Sequence, residues 1–206
     1  MIENINWLGH DCFKITGEKT IYTDPYNIKK SDKADLIFIS HSHFDHFSLE
    51  DISKISDKNT QFVVTHDCAF KLSGRYVKVA LPGDKLTVSG IEIEAVPAYN
   101  TNKSFHPKSN NWLGYIFKVN GVKVYMAGDT DRIPEMSTLK NIDIALLPVS
   151  GTYVMTADEA AEAASDIKPK MAVPMHYGTV VGTKADAEKF SSLLKGKVEV
   201  HILNAL

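Results

Sequence analysis

Cysteine is scarce in this chain: only Cys12 and Cys68 occur among its 206 residues. They do not form a CxxC pair, and neither stands beside the histidine-rich segment that begins at position 41. A disulfide framework of the kind that holds small secreted domains together is therefore excluded, and two reduced thiols are expected. A chain of this length can bury a core without such covalent support.

Apolar stretches are also short, since none approaches the roughly 20 residues that a helix needs to cross a bilayer. The N-terminus has no basic region followed by an apolar one, so no signal peptide is expected. The 23 Lys and Arg residues nearly balance the 25 Asp and Glu residues, and no block of like charge stands out. The sequence predicts a cytoplasmic protein with neither a nucleic-acid nor a membrane partner.

Short apolar strands alternate with turns and helices along the chain. Residues 35–40 form a nearly continuous apolar run, which is typical of a strand covered on both faces. Ser48 can cap a helix, Thr156 and Glu159 form a capping box, and Asn120-Gly121 is a strong hairpin signal. Further strands are predicted at 2–8, 12–16, 20–23, 61–65, 77–80, 85–88, 91–96, 112–119, 122–126, 142–147, 170–174 and 198–203, and further helices at 67–72 and 184–194.

Residues 16–24 and 120–129 resemble each other. Each is a turn, an apolar strand and then an aspartate, and each precedes a second apolar strand. This echo suggests one domain, residues 1–206, made of two similar β-rich halves of about 1–97 and 98–206. With helices outside, the predicted fold is an α/β (α+β) four-layer αββα sandwich.

Three of the eight histidines, His41, His43 and His46, stand within six residues and surround Asp45. The segment follows a buried strand, where α/β folds gather their ligands. Residues 41 and 43 point the same way in an extended chain, so they can share one ion, whereas Asp45 and His46 aim elsewhere as the chain turns. Imidazole and carboxylate are usual ligands of catalytic zinc. One loop can therefore serve two adjacent sites.

Such a loop cannot complete two sites, so further ligands must come from other strand ends. Asp129 follows Gly128 after the strand at 122–126, and His176 follows the strand at 170–174. The glycine lets the backbone turn tightly and places Asp129 at the tip. The alternatives are an aspartate that caps a turn and a histidine packed at a strand end.

The ordered set His41-x-His43-x-Asp45-His46, Gly128-Asp129-Thr130 and His176 resembles the metallo-β-lactamase-fold superfamily. Asp24-Pro25 and the short chain are similar to its compact branch of Zn-dependent hydrolases, which includes ascorbate-phosphate lactonases. The resemblance implies two divalent cations, with Zn²⁺ expected and Mn²⁺ or Fe²⁺ as alternatives. It assigns His41 and His43 to the first cation, assigns Asp45, His46 and His176 to the second, and makes Asp129 the bridge. Asp24 would orient the metal loop.

One family feature is displaced here. The family supplies a third histidine to the first metal just after the strand at 91–96, where this chain has Pro97-Ala98-Tyr99-Asn100. The nearest histidine is His106, inside an irregular loop at 98–111. His106 either reaches back as the third ligand or belongs to the pocket rim or a surface loop.

Other side chains have open roles. His10 lies between two early strands and is either a pocket residue or a packed core histidine. Tyr153 follows the strand at 142–147 and either presents its hydroxyl to substrate or packs in the fold. His66 begins a helix after a strand end and could line the same cleft.

These residues predict a hydrolase that uses a dinuclear metal-activated hydroxide on a small-molecule ester, lactone, amide or phosphodiester. Asp45 would orient the hydroxide and accept its proton, and His10, Tyr153 or His106 would donate hydrogen bonds to the developing oxyanion or the leaving group. The alternatives are an iron-dependent oxidoreductase or dioxygenase and a catalytically silent metal-binding or sensor protein. The 98–111 loop would suit a small molecule, and a homo-oligomer could pair through it.

Overall fold

The computed structural model describes residues 2–29 and 31–206, so Met1, the first residue of the predicted domain, lies outside the described part. The described ranges contain thirteen strands in two sheets. The first sheet contains six strands in chain order, β1 (Ile5–Gly9), β2 (Cys12–Ile15), β3 (Ile21–Thr23), β4 (Leu36–Ile39), β5 (Gln61–Val64) and β6 (Tyr76–Val79). The second contains seven, β7 (Lys85–Val88), β8 (Ile91–Pro97), β9 (Leu113–Val119), β10 (Val122–Met126), β11 (Ile144–Pro148), β12 (Met171–Met175) and β13 (Glu199–Val200), also adjacent in chain order.

The α-helices of the described part are α1 (Leu49–Ile55), α2 (His66–Ala69), α3 (Ala157–Ile167) and α4 (Lys184–Leu193). Their starts confirm the predicted caps. The Ser48 hydroxyl accepts a hydrogen bond from the backbone N–H of Asp51, and Thr156 forms the full capping box with Glu159. None of the helices described is long and apolar enough to span a membrane.

The two sheets pack face to face with helices outside. In β4, Phe38 faces the second sheet, where its ring lies 4.9 Å from the rings of both Tyr115 and Phe117. The alternate residues Ile37 and Ile39 face outward into a separate core with α1, as the two-residue period of a strand requires. Helices α3 and α4 cover the outer face of the second sheet at β11 and β12. The predicted αββα layering is confirmed.

The two sheets repeat one pairing scheme. From β1 to β6 the neighbours pair antiparallel twice and then parallel three times, and β8 to β13 repeat this order. The Asn120-Gly121 hairpin joins β9 to β10 as predicted. The division near residue 97 is wrong, because β8 pairs with β9 and β7 pairs with β8. The sheets divide between Val79 and Lys85.

Several predicted elements differ from the observed ones by one or two residues at their ends, and three differ by three residues. Residues 2–4 form a 3-10 turn, and pairing begins only where Ile5 meets Ile15. The last strand ends at Val200 instead of 203, because the chain leaves the sheet edge and Leu206 donates its N–H to the carbonyl of Trp7. The helix predicted at 67–72 is α2 followed by a 3-10 turn at Phe70–Leu72.

Candidate metal centre

The predicted ligands meet because each follows the carboxyl end of a strand or lies in a loop beside one. Parallel strands place such loops at a common edge of their sheet. The histidine loop follows β4, Gly128-Asp129 follows β10, and His176 follows β12. His10 lies in the tight turn between β1 and β2, and His106 lies in the long β8–β9 loop.

His41, His43 and His106 form a first group, in which the ligand-type atoms lie within 4.8 Å of one another. His41 Nε2 lies 3.0 Å from His43 Nδ1, and the rings of His43 and His106 are 5.1 Å apart. The ring of Trp112 packs against all three imidazoles. The long loop therefore brings His106 back to the first site, which is the arrangement expected of a third ligand.

Asp45, His46 and His176 form a second group together with His10, again with ligand-type atoms within 4.8 Å of one another. His10 is fully buried, and its Nε2 lies 3.0 Å from Asp45 Oδ2. Its ring centroid is 4.1 Å from that of His176. His10 therefore lies in the pocket, inside the ligand group.

Asp129 lies between the two groups. Its Oδ2 is 3.1 Å from His106 Nε2 and 3.1 Å from His176 Nε2, and 3.9 Å from His41 Nε2. Its Oδ1 is 3.4 Å from His46 Nε2. One carboxylate thus faces histidines of both groups, as a bridging ligand must.

Four of the imidazoles are held from behind through Nδ1, which turns Nε2 toward Asp129 and its neighbours. Hydrogen bonds of this kind fix the tautomer and the ring orientation of histidines that bind metals. The Nδ1 partners are Asp24 Oδ2 for His46 at 2.9 Å, Ser40 Oγ for His41 at 2.9 Å, Asn100 Oδ1 for His106 at 3.1 Å and Ser150 Oγ for His176 at 2.9 Å. The orienting role predicted for Asp24 agrees with this contact.

The charges in the centre favour a cation. Burial raises the pKa of Asp129, but His176 and His46 outweigh it and hold that pKa well below the ordinary value. Burial likewise opposes the lowering of the Asp45 pKa, yet the hydrogen bond with His10 and the charge of His46 bring it to about 2. Burial lowers the pKa of His10 to about 4. Burial lowers the pKa of His46 and of His176, but Asp129 outweighs burial and raises both, so a cation that binds here displaces protons from these imidazoles.

The residues present fit divalent cations. In the described part of the chain, the buried atoms His46 Nε2 and Asp129 Oδ1 make no hydrogen bond, and His106 Nε2 makes none although it lies 3.1 Å from Asp129 Oδ2. Leaving such groups unsatisfied costs about 1–3 kcal/mol each, more for charged groups. They face one another across the centre, and imidazole nitrogen with carboxylate oxygen is the donor set that zinc takes at catalytic sites.

Sequence reasoning missed the residues that hold the β8–β9 loop in place. Asn100 Oδ1 accepts hydrogen bonds from both the backbone N–H and the Nδ1 of His106. Asp131 accepts from Thr101 N at 2.8 Å and Lys103 Nζ at 2.7 Å. Asp131 stands two residues after Asp129, and that proximity was the signal available.

Two side chains with open roles lie outside the ligand groups. Tyr153 is partly buried and packs its ring edge-on against Phe105 at 4.7 Å, so it lies beside the loop that carries His106. His66 is exposed, packs against Phe70, and enters none of the ligand groups found among the described residues.

Two packed sheets with a His/Asp cluster at their strand ends define the metallo-β-lactamase fold class. A model of the β-lactamase superfamily domain matches residues 4–176, and the chain belongs to the metallo-β-lactamase superfamily. It is 36% identical to a UPF0173 metal-dependent hydrolase of Thermococcus onnurineus, over 97% of this chain and 95% of that protein.

Two solved structures are also similar. One, from Parabacteroides distasonis, is described provisionally as a metal-dependent hydrolase; it is 37% identical with a TM-score of 0.88, covering 97% of this chain and 93% of that chain. The other, from Thermotoga maritima, is described provisionally as a Zn-dependent hydrolase of the metallo-β-lactamase superfamily. It is 25% identical with a TM-score of 0.69, covering 97% of each chain.

Proposed function

We propose that this protein is a metal-dependent hydrolase that holds two divalent cations, Zn²⁺ first among them, and cleaves a small-molecule ester, lactone, amide or phosphodiester. Its membership of the superfamily supports the general class, a metal-dependent hydrolase. The observation that carries the two-cation proposal is the place of Asp129, whose carboxylate faces His106 on one side and His46 and His176 on the other.

Two bound cations would supply Lewis acidity, which brings the pKa of water from 15.7 to around 7. The protein's own residues orient the reacting groups and exclude bulk water. Asp45, ionised at neutral pH with a pKa of about 2, orients the attacking water by accepting a hydrogen bond from it, and the released proton passes on to solvent because so weak a base does not retain it. His10, whose ring is neutral, donates its single N–H from Nε2 to the ionised Asp45, so it positions that carboxylate and has no second N–H for the developing oxyanion.

The rim of the centre supports a small substrate with an apolar part. Phe44, next to His43, is 68% exposed, and its ring lies 6.0 Å from that of Tyr26. Phe105, next to His106, is 48% exposed and packs on Tyr153. Exposed aromatic rings beside a polar centre are typical of ligand pockets. Tyr153 is therefore assigned to the rim, where its hydroxyl can reach a bound molecule.

The proposal extends to partners and location. We expect a cytoplasmic enzyme that acts on a small molecule instead of a nucleic acid or a membrane. We expect that a homo-oligomer, if it forms, pairs two copies through the 98–111 loop. Light scattering of the purified protein measures the oligomeric state.

Elemental analysis combined with a substrate panel tests the function. The parent should hold two metal equivalents and hydrolyse at least one member of a panel of esters, lactones, amides and phosphodiesters. The double variant Asp45→Ala/His46→Ala should lose the second equivalent and the hydrolysis. His201→Ala, whose imidazole pairs with Glu199 in the last strand, is the matched control and should retain both.

Three outcomes would contradict the proposal. Hydrolysis retained in the double variant would contradict the proposed mechanism. Tight metal binding with no turnover across the panel would indicate a binding or sensor protein. Iron as the native metal, together with oxygen consumption, would indicate an iron-dependent oxidoreductase or dioxygenase, since the same ligands suit iron.

A further inference from the structure

Asp11 is a buried carboxylate that the proposed function does not use. It is the second residue of the two-residue turn between β1 and β2, where Gly9 pairs with Cys12. The turn is fixed on both sides: Trp7 Nε1 and the backbone N–H of His176 donate to the His10 carbonyl, and Thr23 Oγ1 donates to the Asp11 carbonyl. Asp11 is therefore held in place by its backbone and not by its side chain.

The side chain itself has no hydrogen-bond partner. Asp11 is 0% exposed, and within the described residues neither carboxylate oxygen receives a hydrogen bond. Its closest cationic neighbour is His46, whose Nδ1 lies 4.0 Å from Asp11 Oδ2 and already donates to Asp24. A buried carboxyl group without donors takes up a proton unless nearby positive charge compensates its ionised form.

The metal centre supplies the place for that charge. Ligand-type atoms of Asp11, His46 and Asp129 lie within 4.8 Å of one another, and Asp129 Oδ1 and His46 Nε2 are themselves buried without hydrogen-bond partners among the described residues. Two independent features, an unpartnered carboxylate and a cluster of unpartnered ligand atoms, thus coincide.

We propose that Asp11 is a further ligand of the second cation, an inference that rests on the proposed two-cation function. Asp11 would then hold the second cation together with His46 and Asp129, beside the group of Asp45, His46 and His176, and would add a carboxylate to that site. The first site contains three imidazoles with Asp129. Oxygen-rich sites suit Mn²⁺ and imidazole-rich sites suit Zn²⁺, so the two sites differ in metal preference and Asp11 sets the difference.

Titration of the metal-free protein with Mn²⁺ tests the proposal, with free Mn²⁺ followed by its electron paramagnetic resonance signal. Zn²⁺ is titrated in parallel by calorimetry. The variants are Asp11→Asn, which keeps an oxygen and removes the charge, and Asp11→Ala, which removes both. Asp51→Asn is the matched control, because Asp51 is a buried carboxylate that caps the turn at Asn27 and Ile28, away from the centre.

The Mn²⁺ Kd of the second site should rise by at least about tenfold in Asp11→Ala, the lower end of what the loss of a metal-site partner causes. The Mn²⁺ Kd of Asp11→Asn should lie between those of the parent and Asp11→Ala. Zn²⁺ binding at the first site should stay unchanged in both variants. An unchanged Mn²⁺ Kd in both variants, with the parent still binding two ions, would overturn the role of Asp11.

A parent that binds one ion or none would overturn the two-cation function instead, so the two failures are distinguishable. Thermal unfolding of the metal-free proteins separates loss of ligand from loss of fold. Because the Asp11 carboxyl group is buried and makes no hydrogen bond that either variant would lose, neither Asp11 variant should melt below the metal-free parent. Added Mn²⁺ should then raise the Tm of the parent more than that of either variant. An equal rise in all three proteins would contradict the proposal.

Discussion

Replacing Asp24 by asparagine tests whether one buried carboxylate sets the chemistry of the second cation site. Asp24 Oδ1 accepts a hydrogen bond from Ser40 N at 2.7 Å, and Oδ2 accepts from Ser40 Oγ and from His46 Nδ1. Burial raises the pKa of Asp24, opposed by His46 and Ser40. The ionised form accepts all three bonds, whereas a protonated carboxyl group would have to donate one of them.

In Asp24→Asn the amide oxygen keeps the bond from Ser40 N, and the amide NH₂ takes the place of Oδ2. The Ser40 hydroxyl can rotate to accept, but His46 Nδ1–H then faces another donor. His46 escapes only by moving its proton to Nε2, the nitrogen that faces Asp129 at 3.4 Å. That tautomer has no lone pair for a cation.

The expected loss is about 10–100-fold in affinity for the second cation, the range for partners that orient a metal-bound histidine. It equals about 1.4–2.8 kcal/mol of binding free energy. In the metal-free protein, the unpaired donor should cost about 1–3 kcal/mol of unfolding free energy unless the tautomer changes. A change of tautomer would therefore avoid the loss of stability but cause the loss of cation affinity.

Calorimetric metal titration measures the affinity, and nitrogen-15 NMR of the imidazoles measures the tautomer of His46. Asp35→Asn is the matched control. Asp35 also accepts a hydrogen bond from a backbone N–H, that of Thr20, but it precedes β4 at the end away from the histidine loop. Two cations bound with parental affinity by Asp24→Asn, or an Nδ1-protonated His46 in that variant, would refute the reasoning.

Four further results are expected. His106→Ala should weaken the first cation at least about tenfold and leave the second bound, as titration would show; equal loss at both sites would contradict its assignment. Gly128→Ala should lower the Tm and metal content together, because φ is +65° and a Cβ would lie 2.8 Å from the Leu113 carbonyl oxygen. Lys168→Gly should raise unfolding free energy by about 1 kcal/mol in denaturant titrations, because exposed Lys168 has φ 54° at the end of α3; no gain would refute strain there. Metal affinity should fall as pH falls. Burial lowers the pKa of His46, but Asp129 and Asp24 outweigh burial and hold this pKa well above its ordinary value, so the proton on His46 competes with the cation. Equal affinities at pH 6 and pH 8 in calorimetry would contradict this prediction.

Local chemistry made much of the fold predictable. The run at 35–40 became β4 because apolar residues at successive positions need cover on both faces, and Ser48 and Thr156 mark helix starts because their hydroxyls satisfy free N–H groups. The last strand was overextended because nothing in 201–203 signals that the chain leaves the sheet edge to reach Trp7. That end is set by a contact between distant residues.

The same distinction separates the predictable ligands from the others. His41, His43, Asp45 and His46 are fixed relative to one another by a short loop, so spacing alone groups them. His106 lies in an irregular loop whose path depends on hydrogen bonds to Asn100, which in turn donates to Asp131. Asp11 gives no spacing signal at all, because its meaning comes from what its turn packs against.

The repeated pairing scheme explains why the centre cannot belong to one half of the chain. The first group takes His41 and His43 from the first sheet's loops and His106 from the second's, and the second group adds His176 from the second sheet. A cation at either site would therefore connect loops of both sheets across the core. Metal binding would then contribute directly to the stability of the packed sheets. The strand-end aspartates of the two repeats have different roles: Asp129 faces the Nε2 atom of His46, where a cation would bind, whereas Asp24 orients the same imidazole through Nδ1.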